Sequence, residues 1–139
     1  MTQRAEAESA PLREEWSTDR GTTTIVERST TVVLVHAKGH LDSHDGKRIG
    51  AAVEELLGVR PRHLFFDVGE LDGYHPDVRR DLTQLFLDQK PRVLSLHVLA
   101  RSKIVRMGVS VARLALDALV GHSDAGSFNR ALNAALRDG

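Results

Sequence analysis

The sequence predicts an α/β domain: a single unit with a mixed, mostly parallel sheet of four to five strands and about four helices. Three observations predict it. Runs rich in β-branched and aromatic residues, such as "TVVLVHA" (31–37) and "HLFFDV" (63–68), alternate with segments whose apolar residues recur at helical spacing. The run "TVVLVHA" is apolar on both faces, which suits a central strand covered on both sides. Strands that alternate with helices require crossover connections of one hand, and hence a largely parallel sheet.

Residues 1 to about 20 are polar, charged and aperiodic, and read as a mobile N-terminal tail before a single domain over 21–139. Trp16 is the exception there, either docked on the domain or exposed for a partner. "TTTIVER" (22–28) and "TVVLVHA", separated by Ser29 and Thr30, read as a strand pair or hairpin that adds an antiparallel edge. After Gly39 the period changes, and Ile49, Val53, Leu56 and Leu57 mark the first helix. "HLFFDV" is the next strand. Val78, Leu82, Leu85 and Phe86 mark the second helix, with Pro76 in its first turn, where a missing N–H costs nothing. "RVLSLHVLA" (92–100) is a further strand and "SKIVRMGVSVARLALDAL" (102–119) a long helix. "LVGH" (119–122) is a short last strand, and Phe128, Leu132, Ala135 and Leu136 share one face of a terminal helix.

Bulk composition narrows the function classes. With 139 residues, 41% hydrophobic and 27% charged, the chain has the profile of one globular domain. Lys plus Arg equals Asp plus Glu at 19 each, so the overall charge predicts no attraction to nucleic acid or to an anionic membrane; local patches are a separate matter. The absence of cysteine excludes disulfides, thiolate metal sites and cysteine nucleophiles. No apolar run approaches the roughly 18 to 20 residues of a membrane span, and "MTQRAEAESAPLREEW" lacks the apolar core of a signal peptide. The expected location is the cytoplasm.

Two longer stretches, "VVLVHAKGHLDSHDGKRIGAAVEELL" (32–57) and "HLFFDVGELDGYHPDVRRDLTQL" (63–85), carry a resemblance. The first is a strand ending in Gly, then Leu-Asp, then a helix. The second is a strand ending in Asp67, a short loop and a helix start. Together with the element order, from about Thr22 to Leu136, they resemble the STAS domains of bacterial anti-sigma-factor antagonists and their SpoIIAA-like relatives. The resemblance implies a non-enzymatic regulatory module that binds a signalling or anti-sigma-type protein. In the classical family an Asp-Ser-Ser-Gly-like motif at the second helix carries a phosphorylated Ser, and here Pro76 and Asp77 stand where the serines would be. Asp77 is then either an ordinary first-turn acid or a fixed charge imitating the phosphorylated state.

The loops after parallel strands gather at the strands' C-terminal edge, where open α/β folds bind ligands. This places His40, Ser43, Tyr74, His75, Asp77, Arg101 and Ser102 on one expected partner-binding rim. His40 and His44, four apart, match no metal motif, because Asp42 or Ser43 reads as the helix N-cap between them. No metal and no cofactor is expected. A catalytic reading needs an activated nucleophile, and no Gly-x-Ser-x-Gly elbow occurs, while capping accounts for Ser43 and Ser102. Both serines remain candidate modification sites.

The helix from Ser102 carries more apolar surface than a sheet can cover. Lys103, Arg106, Ser110, Arg113 and Asp117 form a polar stripe of roughly 80°, leaving an apolar arc about twice the usual hundred degrees. Neighbouring helices and the tail cover its flanks, or else Met107 and Leu114 on one flank, or Val109 and Leu116 on the other, meet a second molecule. That molecule is a second copy, a protein partner or a small apolar, lipid-like ligand. Gly108, costly inside a helix by roughly 1 kcal/mol, marks close backbone approach to another element. Two functions follow: a protein-interaction module working through the rim, and, as the alternative, a small-molecule or lipid-binding domain working through this helix. A homodimer is compatible with either.

Overall fold

The computed structural model describes residues 12–138. Strands β1 (Leu12–Ser17), β2 (Gly21–Glu27) and β3 (Val32–Leu41) lead into helix α1 (Ser43–Val59), followed by β4 (Arg62–Tyr74) and α2 (Pro76–Asp88). A 3-10 turn (Lys90–Arg92) then leads to β5 (Val93–Ala100), α3 (Lys103–Ala115), β6 (Leu119–His122) and α4 (Ala125–Asp138). The six strands lie side by side in chain order. The pairs β1–β2 and β2–β3 are antiparallel, and β3 to β6 are parallel.

Successive crossovers of one hand between neighbouring strands deliver their helices to the same face of the sheet. Accordingly α1, α2 and α3 pack with Val33, Val35, Leu64, Phe66, Val68 and Leu96 into the larger core. The period-two alternation of the strands turns Val32, Phe65 and Leu99 the other way, where α4 covers them with Phe128, Leu132 and Ala135. The first turn of α1 is fixed by reciprocal bonds. Asp45 N–H donates to the Asp42 carboxylate at 2.9 Å and Asp42 N–H donates to the Asp45 carboxylate at 2.9 Å. These bonds to its charged form hold the Asp42 carboxyl below its ordinary range, the bond from the Asp45 backbone being the main cause.

Three expectations need correction. The sheet has six strands rather than four to five, because residues 12–17 of the expected tail form β1. That strand is hard to read because its charged residues alternate with Trp16 and it is an edge strand. Its anchor is polar: the Trp16 indole N–H donates to Asp45 Oδ1 at 2.9 Å, and the Arg48 guanidinium lies 4.2 Å from the ring centre. Trp16 therefore docks on the domain, while the rest of the expected tail, residues 1–11, lies outside the described residues.

Next, the loop expected after Asp67 is strand, since β4 runs on to Tyr74 beside an equally extended β3, with His40 opposite Gly73 and Leu41 opposite Tyr74. Gly39, at φ +87°, makes that extension feasible by taking a left-handed turn beside the Arg20 carbonyl, which accepts the His40 N–H at 3.1 Å. Finally, α3 ends at Ala115, short of the stretch to residue 119 expected for it, with the Leu116 N–H donating to the Ala112 carbonyl.

Candidate functional site

Helices α1 and α2 touch closely, but α2 and α3 do not. A side chain at Gly46 would meet the Val78 Cα at 3.0 Å, so the absence of one lets α2 settle onto α1. Between α2, α3 and the sheet lies a cavity of about 110 Å³. Phe66, Val68, Phe86, Leu96, Val105 and Val109 give it apolar walls, and Tyr74, Arg79 and Thr83 also border it, while its lining stays almost wholly apolar. Tyr74 closes one end. Its hydroxyl lies where a Gly108 side chain would stand, with the ring carbon Cζ 2.8 Å from that position. The costly glycine in α3 thus admits the Tyr74 phenol against the helix backbone.

The two flanks of α3 have different environments. Val109 and Leu116 are half-buried, pack on the core and line the cavity. Met107 and Leu114 face outward, 58% and 88% exposed, and Ile104 at 58% and Val111 at 46% complete the row with them.

At the strand ends, His40, Ser43, Tyr74, His75 and Asp77 sit near one another. His40 lies within 3.5 Å of a Gly73 side-chain position, and His75 N–H donates to the Leu41 carbonyl at 2.8 Å. His75 is the N-cap of α2, its Nδ1 accepting the Asp77 N–H at 3.1 Å. The Asp77 carboxylate is paired with Arg80 and lies 3.7 Å from His75, so its charge is largely offset. Ser43 is the first residue of α1 behind the Asp42 cap. Arg101 and Ser102 stand apart from this group: Arg101 packs beside Gly69, and Ser102 caps α3 by accepting the Val105 N–H at 3.3 Å. His40 lies in a strand and His44 in a helix. Among the described residues no three His, Asp or Glu side chains converge as metal ligands.

The opposite face of the sheet holds a histidine array absent from the sequence reading. His63, His97 and His122, on β4, β5 and β6, point to the α4 side. His97 Nδ1 and His122 Nε2 are 3.0 Å apart, and His122 Nδ1 bonds the Ser127 hydroxyl on α4. His63 Nδ1 bonds the Ser95 hydroxyl at 2.7 Å. Phe65 stacks on the His97 ring at 4.6 Å, and Phe128 meets His122 edge-on. Burial, then the neighbouring His122 and His63, pushes His97 below its ordinary value; burial does the same to His122, against an opposing pull from Asp124. Each of the three His lies one strand over from the last at a matching alternation, but only the strand register reveals it.

Comparison with solved structures finds a protein from Shewanella loihica PV-4, described as an uncharacterised member of the DUF3478 family with a SpoIIAA-like fold. The two superpose with a TM-score of 0.54 at 14% identity, over 88% of this chain and 92% of that one. The chain therefore has the SpoIIAA-like, STAS-like fold expected of it. No family model and no curated protein sequence matches the chain.

Proposed function

We propose that this STAS-like domain is a non-catalytic binding module that takes a small apolar molecule, or the apolar end of a larger one, between α2, α3 and the sheet. The observation that carries this reading is the cavity of about 110 Å³, walled by Phe66, Leu96, Val105 and Val109 and bounded by the Tyr74 phenol. An apolar cavity of around 150 Å³ in another protein core stays dry and accepts benzene, so this space suits a single ring or a short alkyl segment. The lining is almost wholly apolar, which suits a guest without polar groups at this end. Native mass spectrometry of the untagged protein purified from its own cells tests the reading. A stoichiometric adduct of a few hundred daltons, lost in Ala112→Phe, supports it. Bare protein that also fails to take up a small apolar fluorophore sinks it.

A second reading rests on the rim. His40, Ser43, Tyr74, His75 and Asp77 form a contiguous polar surface at the strand ends, the kind of surface a signalling or anti-sigma-type protein would contact. In that reading the module acts in the bacterial cytoplasm without a phosphorylatable Ser at the α2 start, and a homodimer is one form of it. Tyr74→Ala and Asp77→Ser would weaken partner capture while leaving the cavity-filling variant Ala112→Phe competent. The reverse pattern removes this reading and keeps the first.

A further inference from the structure

We infer that the outer face of α3 docks the protein on a lipid surface carrying anionic headgroups. Ile104, Met107, Val111 and Leu114 follow one another at intervals of three, four and three residues, which places them in one row about 15 Å long. All four are exposed, Leu114 at 88%. Isolated exposed apolar residues are ordinary, but a contiguous row of four large ones marks a surface that meets something.

The charges beside the row select what it meets. With residues ~100° apart, the row fills roughly 80° of the helix and Lys103, Arg106 and Arg113 fill roughly the next 80°. The thirteen residues of α3 include no Asp or Glu. Some surface cations elsewhere have an acid beside them, as Lys47 has Asp81, Arg48 has Glu14 and Arg80 has Asp77. Among the described residues, Arg101, Lys103, Arg106 and Arg113 make no ion pair. Arg106 and Arg113, with Ser110 between them, line a polar recess of about 210 Å³ against β6, where Ser123 adds a hydroxyl and no carboxylate side chain enters. An apolar row with an unpaired cationic flank, and hydroxyls beside it, is complementary to phosphate headgroups over acyl chains.

The extent of the row argues against a second copy. It presents on the order of 400 Å², about half of what each partner of a stable complex contributes. A like-charged flank of Lys103, Arg106 and Arg113 would also have to be brought against another molecule without any acid on the same helix to answer it. An interfacial helix needs neither a large area nor a matching acid on itself, since the headgroups provide the charge. The docking goes beyond the apolar-guest reading and does not depend on it. If both hold, the gap between α2 and α3 opens beside the lipid.

Vesicle co-sedimentation of the full chain tests the inference. Vesicles of pure phosphatidylcholine are compared with vesicles containing about 30% phosphatidylglycerol, at about 0.05 and about 0.5 M salt. The variants are Leu114→Asp and the pair Arg106→Glu with Arg113→Glu. All three positions are exposed, and circular dichroism with a thermal melt verifies folding. Expected is binding to the anionic vesicles alone, reduced at least about tenfold by high salt, by Leu114→Asp and by the arginine pair. Equal binding to both vesicle types, or none, overturns the inference. So does unchanged binding by Leu114→Asp, which would leave only a general electrostatic attraction. A wild-type dimer that Leu114→Asp dissociates gives the face to a second copy instead. An empty cavity with intact vesicle binding would remove the guest reading alone.

Discussion

Gly108→Ala sets helix propensity against packing, and the structure gives both magnitudes. In an exposed helix interior the change stabilises by about 1 kcal/mol. At this position the new methyl would stand on the Tyr74 hydroxyl, 2.8 Å from Cζ and 3.3 Å from Cε1. All three nearest atoms belong to Tyr74, so the phenol must leave its seat against α3. Overpacking of this kind costs about 1–3 kcal/mol, and the net effect expected is destabilisation by about 1 kcal/mol. In a Tyr74→Ala background the obstacle is gone, and Gly108→Ala should then stabilise by about 1 kcal/mol. The coupling between the two positions is therefore about 2 kcal/mol, measured as a double-mutant cycle. Urea unfolding gives each corner, followed by circular dichroism and by the fluorescence of Trp16, the sole tryptophan. Coincident transitions and an unchanged m-value license the comparison. Equal stabilisation by Gly108→Ala in both backgrounds would refute the contact, and with it the account of why a glycine sits in α3.

Arg62 is 1% exposed and its guanidinium bonds Glu27 at 2.5 Å, so Glu27→Ala leaves a buried charge without its partner. The expected loss in chemical denaturation is about 3 kcal/mol, whereas replacing Arg62 and Glu27 together by Met and Leu should cost much less. Trp16→Phe removes the indole N–H donated to Asp45 and part of the surface under Arg48, and should lower the urea midpoint by the equivalent of about 1 kcal/mol. No change there would mean that β1 is not held by this contact. His97 and His122 both lie below the ordinary value of 6.5 in the folded protein. As pH falls through 6.5 the unfolded chain takes up protons that the folded array resists, so their contribution is complete above that pH and lost below it. Between pH 7.5 and 5, stability measured by urea midpoint should fall less in His97→Phe than in wild type. Parallel curves would show that the array does not titrate with folding.

How much of this was legible in the sequence depended on whether a residue's role was local. Helices α1, α2 and α4 announce themselves through a 3.6-residue apolar period, and the α/β order follows from their alternation with β-branched runs. The Ser102 cap was readable, and the α1 cap to within Asp42 or Ser43, because a cap bonds a residue only two or three positions on; the structure gives it to Asp42 and leaves Ser43 as the first helical residue. β1 was not readable, since "LREEWS" has only Leu12 and Trp16 as large apolar residues, without the alternation of a strand, and gains its place by a side-chain bond to Asp45, 29 residues from Trp16. The "GELDGY" half of β4 reads as a turn by composition, and only its register with β3 makes it strand. For α3 the excess of apolar surface was visible, but not which flank remained outside. That was settled by the position of the sheet, which takes Val109 and Leu116 and leaves Met107 and Leu114 to solvent. The histidine array was invisible because it needs three register relations at once: His63 opposite Ser95, His97 opposite Phe65, and His122 opposite Leu99.

The three helices on the larger core are not held alike, and their exchange behaviour should show it. α1 buries Ile49, Ala52, Val53, Leu56 and Leu57, and its N-terminus is locked by the Asp42–Asp45 bonds and by Trp16. α2 is braced on α1 through the Gly46–Val78 approach and the Lys47–Asp81 pair. α3 buries only Val105, Gly108 and Ala112, and the space between it and α2 is cavity rather than side chain. Dispersion contacts missing across a cavity are contacts that do not oppose an opening motion. In native-state hydrogen exchange the α3 amides should therefore open at a free energy lower than those of α1 by about 2 kcal/mol or more, below the global value. A guest in the cavity, or a surface against the outer row, would restore contacts on α3 and slow those amides selectively. If α3 instead exchanges with α1 in a single cooperative unit, the gap between α2 and α3 is not the place where this fold opens. A guest would then need another route to the space beneath Tyr74.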